Sequence, residues 1–359
     1  MADRVGRPGA GVLALACLLM ATATPSAAQP PSAQPPSAQN AVSASEAAFF
    51  KDKNVRLVVG YGPGGGYDAY ARLIAPYIAK TLSANVVVEN LPGAGGIAAL
   101  NRTTVVPPDG LMIQIVNGTG AALSQLLEIS TVRYNVLELT HLGTVSASPW
   151  MWMVGPTSPI KTVADAMKPD VKLSWAGSGP IDGLSDGAAF TCEALKLNCR
   201  VVIGYKGSND AALAVVRGEM DAIYVSDTSA NNIAKSGGAI AVATVGRSKS
   251  RFFPTTPTIF DAVKLDDEAK WIFDFRTAAE DLGRILVGPP KMLPARVEFL
   301  REAIRVSLAD PALIAEGERS QRYIGYLDAA QTIKNVEQVL SSPSPEQKAR
   351  VKAIVAKAQ

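Results

Sequence analysis

The chain has 359 residues, with 35 lysine and arginine residues against 32 aspartate and glutamate residues, and its formal net charge is +3. That length is enough for two modest domains with sizeable cores. The near balance of charge gives no basic patch of the kind that binds nucleic acid, so we expect no nucleic-acid partner.

The N-terminus has the pattern of a secretory signal peptide over residues 1–28. Two arginines precede a short apolar stretch at 11–23, and small residues end the segment. We expect cleavage before Gln29 and a periplasmic mature chain. The alternative is a lipoprotein signal with the lipid on Cys17, which the residues before that cysteine fit poorly.

The next segment, 29–45, repeats glutamine, proline, serine and alanine. Such a composition cannot bury a core. We therefore predict a disordered spacer over 29–50, with the folded body starting near Lys51.

A buried strand at 55–59 is followed by the glycine loop 60–66 and then by a helix. The strand is a short apolar, β-branched run, and the helix follows from apolar residues at helical spacing over 70–82. Asp68 lies in the first helical turn, with Arg72 four residues on. A glycine loop that opens into a helix N-terminus presents backbone N–H groups to an anion.

The same loop matches the G-x-G-x-x-G fingerprint of dinucleotide-binding proteins at 60–65, and Glu89 ends the next strand. Three features count against a dinucleotide. Pro63 removes a donor, the carboxylate of Asp68 would repel a pyrophosphate, and the signal peptide sends the chain out of the cytoplasm. We expect no cofactor.

Strands and helices alternate through the rest of the chain, which predicts parallel-type α/β sheets. Further glycine loops at 92–96 and 117–120 lie after strands, at the edge where such sheets bind ligands. From residue 295 onward the pattern is helical. The further strands are predicted at 85–89, 111–116, 151–154, 172–175, 201–203, 222–225 and 239–245.

Two cysteines follow the signal peptide, and an exported chain favours a disulfide between Cys192 and Cys199 over two buried thiols. We expect no metal site, because His141 is the only histidine and no Cys-x-x-Cys occurs. No catalytic residues are predicted either, since the chain lacks G-x-S-x-G and the acidic run 266–268 is typical of a solvated face.

Taken together, the chain resembles the substrate-receptor family of the tripartite tricarboxylate transporters, the Bug-type periplasmic binding proteins. Four segments in the family's order carry the resemblance. They are Gly62-Pro-Gly-Gly-Gly-Tyr-Asp68 through Arg72, residues 86–90 with 92–96, Pro108-Asp109-Gly110, and 204–208 with 217–221.

The resemblance implies an α/β, two-lobed fold like that of type II periplasmic binding proteins, with a ligand cleft between the lobes. It assigns 51–153 and 248–359 to lobe one and 154–247 to lobe two, with crossings near Val154 and Arg247.

It also implies a small organic carboxylate ligand, held largely by backbone N–H groups. Such neutral donors fix a carboxylate without a buried counter-charge. The binding residues implied are Tyr61, Gly62, Gly64, Gly65, Gly66, Tyr67, Asp68, Asn117, Gly118, Thr119, Ser178, Gly179, Tyr205 and Asp227.

Some of these residues have structural alternatives. The glycines can serve turns alone, Tyr205 can pack, Lys206 can be a solvated charge, and Asp227 can cap a helix. The chain also departs from the family. Asp186 replaces a common histidine, Leu91 replaces an arginine, and the segment 264–282 is atypical.

The leading hypothesis is a monomeric receptor without catalysis that hands a small carboxylate to the membrane subunits of such a transporter. The alternatives are a ligand-sensing receptor of the same fold, which signals to a membrane partner, and an exported α/β enzyme.

Overall fold

The computed structural model describes residues 38–358, with side chains from 43 to 357. The predicted signal peptide, the alternative lipid site at Cys17 and the first part of the predicted spacer lie outside the described residues.

Two five-stranded sheets organise the described part of the chain. The first has the order β2-β1-β3-β10-β4, formed by β1 (Asn54–Val59), β2 (Asn85–Asn90), β3 (Met112–Asn117), β4 (Thr140–Ser146) and β10 (Arg284–Gly288). The second has the order β7-β6-β8-β5-β9, formed by β5 (Trp150–Val154), β6 (Leu173–Ala176), β7 (Cys199–Val202), β8 (Ala222–Ser226) and β9 (Ile240–Thr244).

Helices cover both sheets. They are α1 (Ala38–Phe50), α2 (Gly66–Leu82), α3 (Ile97–Thr103), α4 (Gly118–Leu126), α5 (Val163–Ala166), α6 (Leu184–Ala194), α7 (Ser208–Val216), α8 (Asp227–Gly237), α9 (Ile259–Ala262), α10 (Asp267–Glu280), α11 (Pro294–Leu308), α12 (Pro311–Arg319), α13 (Ala329–Ser341) and α14 (Pro345–Ala358). Short 3₁₀ helices lie at Ala94–Gly96 and Val136–Glu138.

The sheets are mixed rather than parallel, which corrects the sequence prediction. β1 pairs in parallel with β2 and β3, and β6 with β7 and β8. However, β10 runs antiparallel to β3 and β4, and β5 runs antiparallel to β8 and β9. Parallel neighbours need a crossover connection within one sheet. β5 and β10 instead enter their sheets from the other half of the molecule, so they are free of that constraint.

The apolar runs of the predicted strands form the core of each half. Leu57 and Val59 of β1 pack with Ile74 and Ile78 of α2, and all four are fully buried. In the second sheet the indole rings of Trp152 and Trp175 lie 5.1 Å apart and are also fully buried. Burial of such large aromatic side chains dominates core energetics.

Helix α1 occupies much of the range predicted to be a spacer. Phe50 is fully buried and stacks on Phe299 of α11 at 5.6 Å, and Glu46 accepts a hydrogen bond of 2.7 Å from Arg296. The proline-rich repeat ends before this helix, whose alanines favour helix and whose last residues are phenylalanines. The folded part therefore begins before Lys51.

The changes of sheet do not coincide with the predicted lobe boundaries at 153/154 and 247/248. β4 ends at Ser146 and β5 begins at Trp150, so the chain enters the second sheet through residues 147–149. It returns to the first sheet only at Arg284. Helices α10 and α14 pack against α6, so these C-terminal elements lie with the second sheet.

The predicted disulfide is present between Cys192 of α6 and Cys199 of β7, whose Cα atoms are 6.3 Å apart. Among residues 38–358, no helix combines the length and the apolar character that a membrane span needs.

Candidate functional site

The first glycine loop connects the carboxyl end of β1 to the N-terminus of α2. Gly64 adopts φ +81°, a left-handed conformation that favours glycine, whereas Gly65 has φ −74° and ψ 174° and is extended. Only Gly64 of these two thus needs glycine for its backbone conformation. The loop faces the loops of the second sheet across a cleft.

Three amides of this loop donate hydrogen bonds within the protein. Gly62 N–H donates to the carbonyl of Lys206 (2.7 Å), Gly64 N–H to the carboxylate of Asp68 (2.8 Å), and Gly66 N–H to Ser208 Oγ (3.3 Å). The loop was predicted to present its amides to a ligand. In the structure, two of these bonds join the two halves of the molecule instead.

Asp68, in the first turn of α2, stabilises the loop through hydrogen bonds. Its carboxylate accepts hydrogen bonds from Arg72 Nε (3.0 Å), Asn90 Nδ2 (2.9 Å) and Gly64 N–H. Burial works to raise the pKa of Asp68, but these donors outweigh it and hold the pKa below its ordinary value. The structure thus gives Asp68 a loop-supporting set of partners.

A cavity lies in the cleft, and we call it the cleft cavity. From the first half it is lined by Tyr61, Gly65, Gly66, Tyr67 and Arg284. From the second half it is lined by Trp150, Leu184, Ser208, Val225, Ser226 and Ser229. Four of the predicted binding residues meet here.

Two stacked tyrosines form one wall of the cleft cavity. The rings of Tyr61 and Tyr67 lie 4.9 Å apart, and the Tyr61 hydroxyl donates to the carbonyl of Gly95 at 2.9 Å. Burial raises the pKa of both phenols, so they stay protonated and neutral near pH 7. They offer the cavity aromatic surface and a hydroxyl rather than a charge.

Arg284, the first residue of β10, is a cavity residue that the sequence analysis missed. Its side chain is buried, with Nη2 donating to Ser226 Oγ at 2.9 Å and Nη1 lying 3.3 Å from Ser146 Oγ and Ser148 Oγ. Its Nε has no hydrogen-bond partner. The sequence feature that could have identified it is a single arginine at the start of the apolar run Arg-Ile-Leu-Val-Gly.

The predicted residues of the third loop make contacts within the protein. Asn117 caps α4 and donates from Nδ2 to the carbonyl of Asp182 at 2.6 Å. Gly118 N–H donates to the carbonyl of Gly283 at 3.0 Å, and Thr119 Oγ1 donates to that of Ala279 at 2.6 Å. None of the three lines the cleft cavity.

Ser178 and Gly179 lie where the second half meets the 3₁₀ helix at Ala94–Gly96. The Ser178 amide donates to the Asp182 carboxylate at 2.9 Å, and its hydroxyl bonds to the same group. A Cβ on Gly179 would lie 2.7 Å from Gly95 Cα, so this glycine permits close approach of two backbones. Neither residue lines the cleft cavity.

Tyr205 and Asp227 lie outside the cavity lining as well. Tyr205 is half-buried and packs against the core of the second sheet. Asp227 is the first residue of α8, and its Oδ2 accepts a hydrogen bond of 3.0 Å from Ser250 Oγ. Lys206 is exposed and contributes its backbone carbonyl to Gly62.

A buried charge cluster of Asp186, Arg276 and Glu280 lies behind Trp150. Arg276 Nε donates to Asp186 at 2.8 Å and its Nη1 lies 3.3 Å from Glu280, while Cζ is 5.6 Å from the centre of the Trp150 ring. The guanidinium of Arg276 therefore contacts two carboxyl groups. Where a histidine was expected, Asp186 provides the anion that holds Arg276.

Within residues 38–358 there is no group of three histidine, cysteine, aspartate or glutamate side chains arranged to hold a metal ion.

Comparison with known proteins identifies relatives over most of the chain. The sequence profile described as "Tripartite tricarboxylate transporter family receptor" matches residues 70–345. A UPF0065 protein of Bordetella pertussis is 25% identical over 279 residues, which cover 76% of this chain and 82% of that protein.

Solved structures support the same fold. The periplasmic binding protein BugD matches with a TM-score of 0.71 at 22% identity, covering 85% of this chain and 98% of that one. MatC from Rhodopseudomonas palustris, solved with bound malate, matches with a TM-score of 0.68 at 21% identity, covering 84% and 99%. The predicted two-lobed α/β fold of a periplasmic binding protein is thereby confirmed.

Proposed function

Because the chain belongs to the family of tripartite tricarboxylate transporter receptors, we propose that it captures a small organic carboxylate outside the cytoplasm and delivers it to the membrane subunits of such a transporter. The family consists of periplasmic solute-binding proteins, and its members are receptors rather than enzymes. Delivery to a transporter, the carboxylate ligand and action as a monomer are parts of the proposal.

The observation that supports this function best is the composition of the cleft cavity. It lies between the two halves, at the N-terminus of α2, and every lining residue is aromatic, aliphatic, glycine, serine or arginine. The first amides of a helix have no partner within the helix and carry partial positive charge. The chemistry of this lining suits an anionic group with apolar atoms beside it.

Export is also part of the proposal. The family's periplasmic location supports it, and the predicted signal peptide over 1–28 would deliver the chain there. N-terminal sequencing of the exported protein tests this point. A mature chain starting near Gln29 supports export with cleavage, whereas a lipid-modified Cys17 would replace it with membrane anchoring.

The ligand is sought by thermal unfolding of the purified mature chain against a library of organic acids. A ligand at about 100 times its dissociation constant stabilises the folded protein by about 2.7 kcal/mol, which is easily seen as a rise in Tm. Neutral amides of the same acids serve as matched controls, since they lack the charge. Stabilisation by amides and acids alike would contradict a carboxylate receptor.

Transport is tested separately in cells that carry and lack the gene. Loss of uptake of the identified acid supports delivery to a transporter. Unchanged uptake together with a lost transcriptional response to the acid would favour the ligand-sensing alternative.

A further inference from the structure

We propose that Arg284 is the counter-ion for the ligand's carboxylate, and that the site selects acids with a single carboxylate and an apolar body. This specificity rests on the proposed function, and it departs from the expectation that backbone amides alone hold the anion. Three features of the cleft cavity carry the inference.

The first feature is the lack of an anionic partner for Arg284. The residue is 4% exposed, and the hydrogen-bond partners of its guanidinium are serine hydroxyls. Its Cζ also lies 4.3 Å from the centre of the Tyr70 ring, a neutral partner that supplies no counter-charge. No carboxylate of the described residues lies within 4.0 Å of its nitrogens, and Nε has no partner. Asp227 acts on it only through space, because that carboxylate bonds to Ser250. A buried cation costs free energy unless it is paired, so an anion is the missing partner.

The second feature is the position of the guanidinium beside the N-terminus of α2. A Cβ on Gly66 would lie 3.7 Å from Arg284 Nη2 and 2.7 Å from Ser229 Oγ. The helix has 17 residues, and Asp68 in its first turn offsets part of the positive end of its dipole. Arg284 is therefore the main positive feature of the cavity. A carboxylate placed beside it gains a charged partner, with serine hydroxyls as further donors.

The third feature is the rest of the lining from the second half, which offers no cation to a second carboxylate. Trp150, Leu184 and Val225 are aromatic or aliphatic, and the other residues are serines. Behind Trp150 the guanidinium of Arg276 is matched by Asp186 and Glu280, and Arg276 does not line the cavity. Its Nη2 has no partner, but its charge is balanced by Asp186. A second carboxylate here would meet aromatic surface and no free cation.

The test uses two pairs of acids matched in their carbon skeleton, hexanoate with adipate and benzoate with terephthalate. Each is titrated up to about 10 mM into the mature chain and followed by Tm, since a ligand above its dissociation constant must stabilise the protein. We expect at least one monocarboxylate to bind about tenfold or more tighter than its matched dicarboxylate. Equal or tighter binding of both dicarboxylates, or no binding of any of the four, overturns the proposed specificity.

Arg284→Met tests the counter-ion. Removing one partner of a buried charged hydrogen-bonded pair weakens binding by roughly 30-fold or more. Arg217→Met is the matched control, because it removes the same charge at an exposed residue that does not line the cavity. If Arg284→Met does not fold by circular dichroism, Arg284→Lys replaces it, and we expect about tenfold weaker binding from the lost planar donors.

The outcome separates this inference from the proposed function. An acid from the wider library that binds the wild type and Arg284→Met equally leaves the carboxylate receptor intact and removes the role of Arg284. Absence of any acid ligand in that library removes both.

Discussion

One residue of the buried charge cluster, Glu280, makes the stability of the protein depend on pH. Glu280 is buried, and its Oε1 accepts a hydrogen bond from the Tyr224 hydroxyl at 2.7 Å. Burial raises the pKa of Glu280 to about 8, and Arg276, which it shares with Asp186, only partly opposes that effect. The folded protein therefore holds a proton on Glu280 at a pH where the unfolded chain has released it.

This difference predicts that stability falls as pH rises. Glu280 has an ordinary pKa of 4.5, so its stabilising contribution is complete below that pH and is lost as pH rises towards 8. The expected loss is up to about 1.4 kcal/mol per pH unit within this window. Glu280→Gln keeps an acceptor for Tyr224 but cannot titrate, so its stability should depend less on pH.

Urea unfolding of both proteins at several pH values between 5 and 8 measures the effect. The exposed Glu318→Gln is the control and should follow the wild type. Parallel stability curves for wild type and Glu280→Gln would show that Glu280 is ionised throughout.

Gly66 is the position where an added side chain enters the cleft cavity. A Cβ there would lie 2.7 Å from Ser229 Oγ, closer than real Cβ contacts allow. We expect Gly66→Val to weaken binding of the identified acid by about tenfold or more, because the side chain occupies the space beside Arg284. Gly325→Val is the control, since a Cβ on Gly325 meets nothing within 4 Å. Unchanged affinity of Gly66→Val would place the ligand elsewhere.

At the scale of elements, apolar β-branched runs predicted the existence and order of most strands. Strand direction was not predictable. β5 and β10 enter their sheets from the other half of the molecule, and the local sequence pattern does not show which strands they pair with. Helix α1 was missed because the proline-rich repeat before it dominated the interpretation of the segment. Its burial depends on contacts with α11, some 250 residues later.

In the candidate site, too, local features were predictable from the sequence and contacts between distant segments were not. Glycine spacing located the loop before α2, and four residues there line the cavity. The partners of the loop amides were not predictable, because Lys206 and Ser208 approach from the other half. Arg284 escaped notice since a charged residue at a strand start ordinarily faces solvent.

The link between α6 and β7 gives a prediction at this scale. The disulfide joins residues seven positions apart, and a loop of that size stabilises by about 2–3 kcal/mol in the chain-entropy account. Replacing both Cys192 and Cys199 by serine should lower the free energy of unfolding by this amount and leave ligand affinity unchanged. Denaturant titration of the oxidised wild type and the double variant measures the difference. An equal midpoint and slope would contradict it.

At the scale of the whole molecule, the chain passes between the two halves at 147–149, at 281–283 and again between α13 and α14, since α13 packs against β4 and α14 against α6. A Cβ on Gly283 would lie 2.8 Å from Ala147 Cα, so the first two of these connections run side by side. Such paired connections are where a two-lobed binding protein bends. We therefore propose a hinge at segments 147–149 and 281–283, rather than at the crossings predicted near Val154 and Arg247.

Bending about this hinge predicts a change of shape on binding. Hydrogen bonds such as Gly62 to Lys206 and Asn117 to Asp182 hold the halves together, as expected for a closed form. A ligand that contacts both halves favours this form through its additional contacts. Small-angle scattering should show a smaller radius of gyration with saturating acid than in its absence. An equal radius would indicate rigid lobes.

The place of β10 in the first sheet has a consequence for biosynthesis. This strand lies between β3 and β4, yet it follows all five strands of the second sheet along the chain. During synthesis, the first sheet cannot be completed until residue 288 has left the ribosome. Until then, β3 and β4 each lack the partner strand β10 and have an unpaired edge. Exposed edges of this kind aggregate readily, and contacts so distant in sequence form slowly. The topology therefore predicts slow folding of the full chain, because β10 must insert between two strands that were synthesised much earlier.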